Sequence, residues 1–291
     1  GEFYTCPIFN EYLLDKKAKV ILIGHGGRPD GKLDEKYSLM PLIPILEKMI
    51  GTKEDWTLKE NLRFDPREEA NDDNYARELA SLGEIYVNES FSVCHRSHTS
   101  IVGIPKYLPS YAGLNLEKEI ENLSKVFTPE RPLVILISGV KEDKLKMIEP
   151  LSNLADKVLV GGRLPDFLGD NTESVRTQTG KIIIGNLTMD KEDITLNTIE
   201  KFKEEISKAK TIVLAGVLGK YEDEGHSQGT KEIFSAIAAS SAYKIVGGGD
   251  SLTAVQNYNL TDKFDWISVG GGAMIGYLTQ KTLVGIEALQ N

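Results

Sequence analysis

Cysteine and histidine are scarce in this chain of 291 residues, with two of the first and four of the second. Cys6 and Cys94 stand far apart and form no CxxC pair, which argues against a disulfide framework and points to a reducing, cytoplasmic compartment. No apolar run approaches the ~20 residues of a membrane span, and the opening Gly1-Glu2-Phe3 lacks a charged-then-apolar leader. Basic residues are the minority: 34 Lys and Arg face 43 Asp and Glu, for a formal net charge of -9. That sets aside nucleic acid and anionic membranes as general partners. An anion can then be held only where basic groups gather locally, so each Arg/His cluster carries weight. The Walker A pattern and the GxGxxG fingerprint are both missing, and Gly216-Val-Leu-Gly-Lys220 only looks like part of a P-loop at the wrong spacing.

What is present reads as α/β. The length suits two domains. Lys19–Ile23 has the pattern of a buried strand and runs into the loop Gly24-His-Gly-Gly-Arg-Pro29. Apolar residues at helical spacing follow over Pro41–Ile50, ending at Gly51, and again over Glu69–Leu82 before a strand at Glu84–Asn88. Strands separated by helices imply a parallel sheet. Leu116–Phe127 reads as one amphipathic helix, with Leu116, Ile120, Leu123 and Phe127 on a face, and a domain boundary is placed there. In the second half five apolar runs each end at glycine, at Gly139, Gly161, Gly216, Gly247 and Gly270. Glycines at the carboxyl ends of parallel strands let a ligand approach the backbone, and the helix N-termini that follow favour phosphate.

The stretch Val87-Asn-Glu-Ser-Phe-Ser-Val-Cys-His-Arg-Ser-His-Thr-Ser100 gathers Cys94, His95, Arg96 and His98. Two imidazoles in HxxH spacing beside a thiol suggest part of a metal site, but Arg96 among them would repel a divalent cation. A plain polar loop with a histidine capping a helix is the bland alternative. His25 and Arg28 also follow a strand, and Arg63 lies in the polar context Asn61-Leu-Arg-Phe64. Residues at the strand ends of one parallel sheet converge on one edge. Together these side chains suit a small, multiply anionic ligand.

On these stretches the chain resembles the phosphoglycerate kinase family. The matching runs are AKVILIGHGGRPDGK (18–32), KYSL (36–39), ENLRF (60–64), YVNESFSVCHRSHTS (86–100), the Gly139–Lys144 run, GKYE (219–222), GTK (229–231), GGGDS (247–251) and SVGGGA (268–273). The resemblance implies two doubly wound, Rossmann-like parallel-sheet domains facing each other across a cleft. Residues 1–115 would hold 3-phosphoglycerate, 116–127 would form the hinge helix, and 128–276 would hold ADP or ATP with Mg²⁺. Residues 277–291 would pack back on the first domain. Carried over by motif, His25, Arg28, Arg63, His95 and Arg96 form the phosphoglycerate patch. Gly139, Lys141, Lys144, Gly161, Gly219, Glu222, Gly249, Asp250 and Ser251 bind the nucleotide, with Glu222 on the ribose and Asp250 on the metal. Lys141, Arg96, Gly248 and Gly271 surround the transferring phosphoryl group. Read without the resemblance, Lys141 and Lys144 are a solvated helix start, Glu222 a surface charge and Asp250 an N-cap.

The resemblance has gaps. The family's opening RxDFNVP strand has no counterpart. The chain is shorter between Ile50 and Glu60 and between Leu168 and Asp193. Ala215, Ser138 and Val269 replace family residues, and Thr195-Leu196 replace a Gly-Pro. A first-domain sheet without its opening strand should expose an edge or leave a groove. The implied activity is phosphoryl transfer between 1,3-bisphosphoglycerate and ADP in glycolysis, by a cytoplasmic monomer with no nucleic-acid or membrane partner. A catalytically impaired relative, serving as a ligand-binding or scaffold module, is the alternative.

Overall fold

The computed structural model describes residues 12–51, 54–169 and 180–290. Cys6, the opening residues and part of the shortened stretch before Asp193 lie outside them. The chain divides into two compact units, one holding the residues up to Glu119 and those from Thr282 on, the other Ile120–Lys281.

In the first unit β1 (Val20–Leu22) leads through α1 (Ile43–Ile50) to β2 (Trp56–Leu58), its parallel partner. Helix α1 stops where expected, since Gly51 takes a φ of 93° that a side chain would resist. The helix read over Glu69–Leu82 is interrupted. Asp65 caps α2 (Pro66–Glu69), Asn71 turns left-handed, and Asp72 caps α3 (Asp73–Ala80) by accepting from the Tyr75 amide at 2.8 Å. Then come β3 (Tyr86–Asn88) and β4 (Ser110–Ala112), again a parallel pair. Among the described residues the two pairs do not join into one sheet. Each has its own small core: Val20, Leu46, Ile50 and Trp56 under the first, and Leu62, Leu79, Tyr86 and Ile104 under the second. Helix α4 (Leu114–Ser124) follows, ending in a 3-10 turn over Lys125–Phe127.

The second unit is built on one six-stranded parallel sheet. In chain order its strands are β5 (Leu133–Gly139), β6 (Lys157–Gly162), β7 (Ile182–Ile184), β8 (Thr211–Ala215), β9 (Tyr243–Gly247) and β10 (Trp266–Ser268). Between them run α5 (Ile148–Leu154), α6 (Leu164–Leu168), α7 (Leu196–Lys208), α8 (Gln228–Ala239) and α9 (Gly249–Asn257), with α10 (Gly271–Gln280) after β10. Every described residue of β5 before Gly139 is buried, as expected of a strand covered on both faces. Helix α7 lays Ile199, Phe202 and Ile206 into the core against β8 and α8 residues. The strand order is β10-β9-β8-β5-β6-β7. From β5 the chain first builds outward through β6 and β7, then returns to the other side of β5 for β8, β9 and β10. The order therefore reverses between β5 and β8, and in open α/β sheets ligands bind outside the carboxyl ends at such a point. No described helix is long and apolar enough to cross a membrane.

Candidate functional site

In the first unit the loops after β1 and β2 run side by side because the ladder continues past both strands. Lys59 donates its amide to Leu22 O at 2.9 Å, and Leu62 donates to Gly24 O at 3.0 Å. Two buried or half-buried polar side chains then lock the turn. Glu60 accepts from the Leu39 and Asn61 amides and from Ser38 Oγ. Asn61 donates from Nδ2 to Gly26 O at 2.7 Å and Tyr37 O at 2.8 Å, while its Oδ1 accepts from the Arg63 amide. The guanidinium of Arg63 is thereby aimed under the first loop, where Nη1 donates to Gly27 O at 2.8 Å and Nε lies 3.1 Å from Glu69 Oε1.

The third segment follows β3. Cys94 is fully buried, with Asn88 donating to Sγ and Sγ donating to Ser90 O, and burial pushes its thiol up to about 12. A thiol so firmly protonated is a poor metal ligand. No described group of three His, Cys, Asp or Glu has the arrangement of a metal site. His98 is buried with Nδ1 3.9 Å from Glu68 Oε1, and Glu68 accepts from the Ser100 amide at 3.0 Å and from Ser100 Oγ at 2.5 Å. Burial raises the Glu68 carboxyl against those hydrogen bonds.

The six basic side chains of the three segments come together electrostatically. Burial, then Arg63, His98 and Arg96, push His25 down to about 4. Arg63 is lowered by burial and by Arg96 and Arg28, with Glu69 and Glu68 opposing. His98 is lowered by burial and by Arg63, Arg96 and His95, with Glu69 again opposing. Arg28 and His95 stand exposed at the margin. Like charges held this close, with few carboxylates among them, have the electrostatics that suit an anion. The residues that hold it in shape, Glu60, Asn61, Glu68 and Ser100, were not singled out from sequence. Asn61 and Glu60 lie in the motif that supplied Arg63 and could have been found there; Glu68 and Ser100 are 32 positions apart and carry no local signal.

In the second unit the glycine-terminated loops meet at the switch point between β5 and β8. Ser138 donates from Oγ to Val217 O, and its carbonyl accepts from Lys144 Nζ at 2.5 Å. Gly216, at φ 124°, passes so close that a side chain would overlap the Ser138 carbonyl. Ser251 is fully buried and accepts from the Gly216 amide at 3.0 Å, so it ties the loops after β8 and β9 together. Burial lowers Lys144, which Asp250 partly offsets. Asp250 is exposed in the first turn of α9, whose cap is Gly248 rather than Asp250. Gly271 crosses Gly248 with no room for a side chain, since a Cβ on it would come within 2.7 Å of the Gly248 Cα. Lys141 is exposed at the start of the 3-10 turn Glu142–Met147. Gly139 and Gly161 close β5 and the β6 end, Gly249 opens α9, and Glu222 is exposed beyond Gly219. One exposed carboxylate near a lysine at a phosphate crevice suits Mg²⁺, which keeps waters and shares substrate oxygens rather than filling an all-protein cage.

A family model described as phosphoglycerate kinase matches residues 51–168 and 166–281. The phosphoglycerate kinase of Dictyoglomus turgidum is 36% identical, covering 97% of this chain and 88% of that protein. That of Coprothermobacter proteolyticus is 35% identical, covering 96% and 88%. Among solved structures, phosphoglycerate kinase from Coxiella burnetii superposes with a TM-score of 0.82 at 28% identity, covering 98% of this chain and 89% of that one. The Pyrococcus horikoshii OT3 enzyme gives 0.81 at 26% identity, covering 97% and 89%.

Proposed function

The chain belongs to the phosphoglycerate kinase family, and from that premise we propose which of its residues hold each substrate. The reaction is phosphoryl transfer from 1,3-bisphosphoglycerate to ADP, giving 3-phosphoglycerate and ATP. Arg63, Arg96, His25, Arg28 and His95 of the first unit take the phosphoglycerate. The observation that carries this is the gathering of Arg28, Arg96 and three histidines around a buried Arg63, opposed by Glu68 and Glu69 alone among their strongest neighbours. In the second unit the switch-point loops, Lys141, Lys144 and Glu222 take the nucleotide, and Asp250 takes Mg²⁺. Bound there, the ion would neutralise phosphate charge.

The chemistry asks little covalent help of the protein: it needs anions in line, water excluded and charge neutralised. Lys144 is held at the switch point by the Ser138 carbonyl, so its ammonium is preorganised rather than recruited. Lys141, Arg96, Gly248 and Gly271 stand for the surroundings of the moving phosphoryl group, the glycines by letting backbone N–H groups approach it. Monomeric, cytoplasmic operation fits the family and the two-cysteine composition. The alternative of an impaired binding module is the weaker reading, because both basic patch and glycine loops are retained.

The test is calorimetry with Mg·ADP and with 3-phosphoglycerate, followed by coupled turnover. Arg96→Ala is expected to weaken 3-phosphoglycerate by about tenfold or more and leave Mg·ADP unchanged; loss of both would contradict the two-site assignment.

A pH experiment addresses His25. With its folded value near 4 and its ordinary value 6.5, the ring is neutral at pH 7. A bound polyanion favours the imidazolium, so 3-phosphoglycerate should take up protons on binding. Titration in two buffers of different ionisation enthalpy measures this, and equal heats would refute it. Without ligand the sign is that of a depressed group: the stability contribution is full above pH 6.5 and is lost as pH falls towards 4. His25→Gln should flatten that slope.

A further inference from the structure

The loop between β7 and α7 is fastened on two sides. Leu187 and Ile194 bridge antiparallel, and the Thr188 amide donates to Asp193 O at 2.9 Å, which closes the loop on itself. Asp193, 4% exposed, accepts from the Gly229 amide at 2.8 Å, and the Lys220 amide donates to Glu192 O at 2.9 Å. The loop therefore lies along residues 219–229. At one flank Lys191 Nζ reaches Asp166 Oδ1 at 2.6 Å, where Arg163 also pairs with Asp166. At the other flank stands His226. Its Nε2 is 2.8 Å from Asp190 Oδ2 on the loop, and its Nδ1 is 3.2 Å from Asp223 Oδ2, at ion-pair distance but off the line of a hydrogen bond.

A carboxylate at each ring nitrogen selects the protonation state. Neutral imidazole has one N–H, so one lone pair would face a carboxylate oxygen; only the imidazolium offers a proton to both. The charged groups facing the ring are Asp190 and Asp193 from the loop and Asp223 from its own segment, with Lys220 near Asp223. Three carboxylates around the ring favour the cation. In keeping with this, the hydrogen bond to Asp190 and then the nearby Asp223 carboxylate raise His226 above its ordinary value. Asp190 is held well below the carboxylate range, first by Thr188 Oγ1 and next by His226.

We propose that His226 and Asp190 are positioning residues for the nucleotide: a clasp, closed while the imidazole carries both protons, that fixes the segment bearing Glu222. The proposal rests on the assignment of that segment to the nucleotide. When His226 loses its proton the loop releases its hold, and Glu222 is presented less often in register.

Steady-state KM values for ATP and 3-phosphoglycerate, with kcat, are measured from pH 7 to 9 for the wild type, Asp190→Asn, and His226→Arg, which keeps a charge able to span both carboxylates. Thermal unfolding checks that all three fold. The wild-type KM for ATP should rise roughly threefold to fivefold with pH, with kcat and the KM for 3-phosphoglycerate following the same pH course as in Asp190→Asn. Asp190→Asn should sit at the higher KM throughout, and His226→Arg at the lower one through pH 9. By NMR, Asp190→Asn should also lower the titration midpoint of the His226 ring. A KM for ATP that is the same in wild type and Asp190→Asn at every pH overturns the clasp. Calorimetry of the wild type with Mg·ADP separates the two readings: no binding there overturns the nucleotide assignment itself, whereas binding with unshifted KM values overturns only the clasp.

Discussion

Arg63→Met is expected to lower kcat/KM for 3-phosphoglycerate by roughly a hundredfold to a thousandfold while leaving Mg·ADP affinity unchanged. Arg63 is 6% exposed, and its guanidinium is already oriented by Gly27 O and Glu69. A ligand anion therefore meets a fork whose orientation is settled before binding. Each charge-assisted hydrogen bond lost is worth about 1.5–3 kcal/mol, and a bidentate contact involves two. Methionine keeps the stem's bulk and removes the charge together with the guanidinium donors, the one to Gly27 O included. The effect on stability should run the other way. Burial and the neighbouring Arg96 and Arg28 all disfavour the Arg63 cation, and replacing an uncomfortable buried charge by an apolar side chain is often neutral or stabilising. An unchanged or higher Tm beside lost turnover is the expected pair of results. A fall in Mg·ADP affinity, or a large fall in Tm, would show that Arg63 is a structural residue instead.

Gly216→Ala should act through the backbone, with a loss of stability of about 3 kcal/mol or more and loss of nucleotide binding. The residue sits at φ 124°, where an L side chain is strained, and its Cβ would overlap the carbonyl of Ser138. That carbonyl belongs to β5, buried in the middle of the sheet, and it also receives Lys144 Nζ. Neither partner can retreat without moving a central strand. Gly249→Ala is the matched control, since a Cβ there meets nothing within 4 Å and the φ is ordinary. Urea unfolding midpoints compare the two. Equal midpoints would mean that the crossing at Ser138 is looser than its geometry.

Much of this was legible from sequence, for identifiable reasons. Buried parallel strands such as Leu133–Gly139 announce themselves as unbroken apolar runs, and glycines mark their carboxyl ends. The gathering of the basic side chains was legible because Arg and His are conspicuous in an acidic chain. What escaped was set by contacts distant in sequence or by short polar interruptions. Periodicity alone carries Glu69–Leu82 as one helix, but Asn71 and the cap at Asp72 break it. Ser251 reads as a phosphate-loop residue, and nothing local in the sequence shows that its Oγ also accepts from the Gly216 amide 35 positions away. Asp250 has the sequence of an N-cap, but Gly248 takes that place and leaves its carboxylate exposed. Among the described residues β1 pairs with β2 and β3 with β4, and this pairing is likewise invisible in the local pattern of either strand.

The strand order has a consequence for how the chain is made. β5 is followed in synthesis by β6, its partner on one edge, but its other edge is covered only by β8, which ends at Ala215, well after β5 ends at Gly139. At about 5–20 residues per second, the ribosome leaves the apolar Leu133–Ile137 edge without a neighbour for several seconds. An open, hydrophobic strand edge is a template for the wrong chain. The reversal of strand order beside β5 thus leaves the nascent chain open to mispairing during that interval.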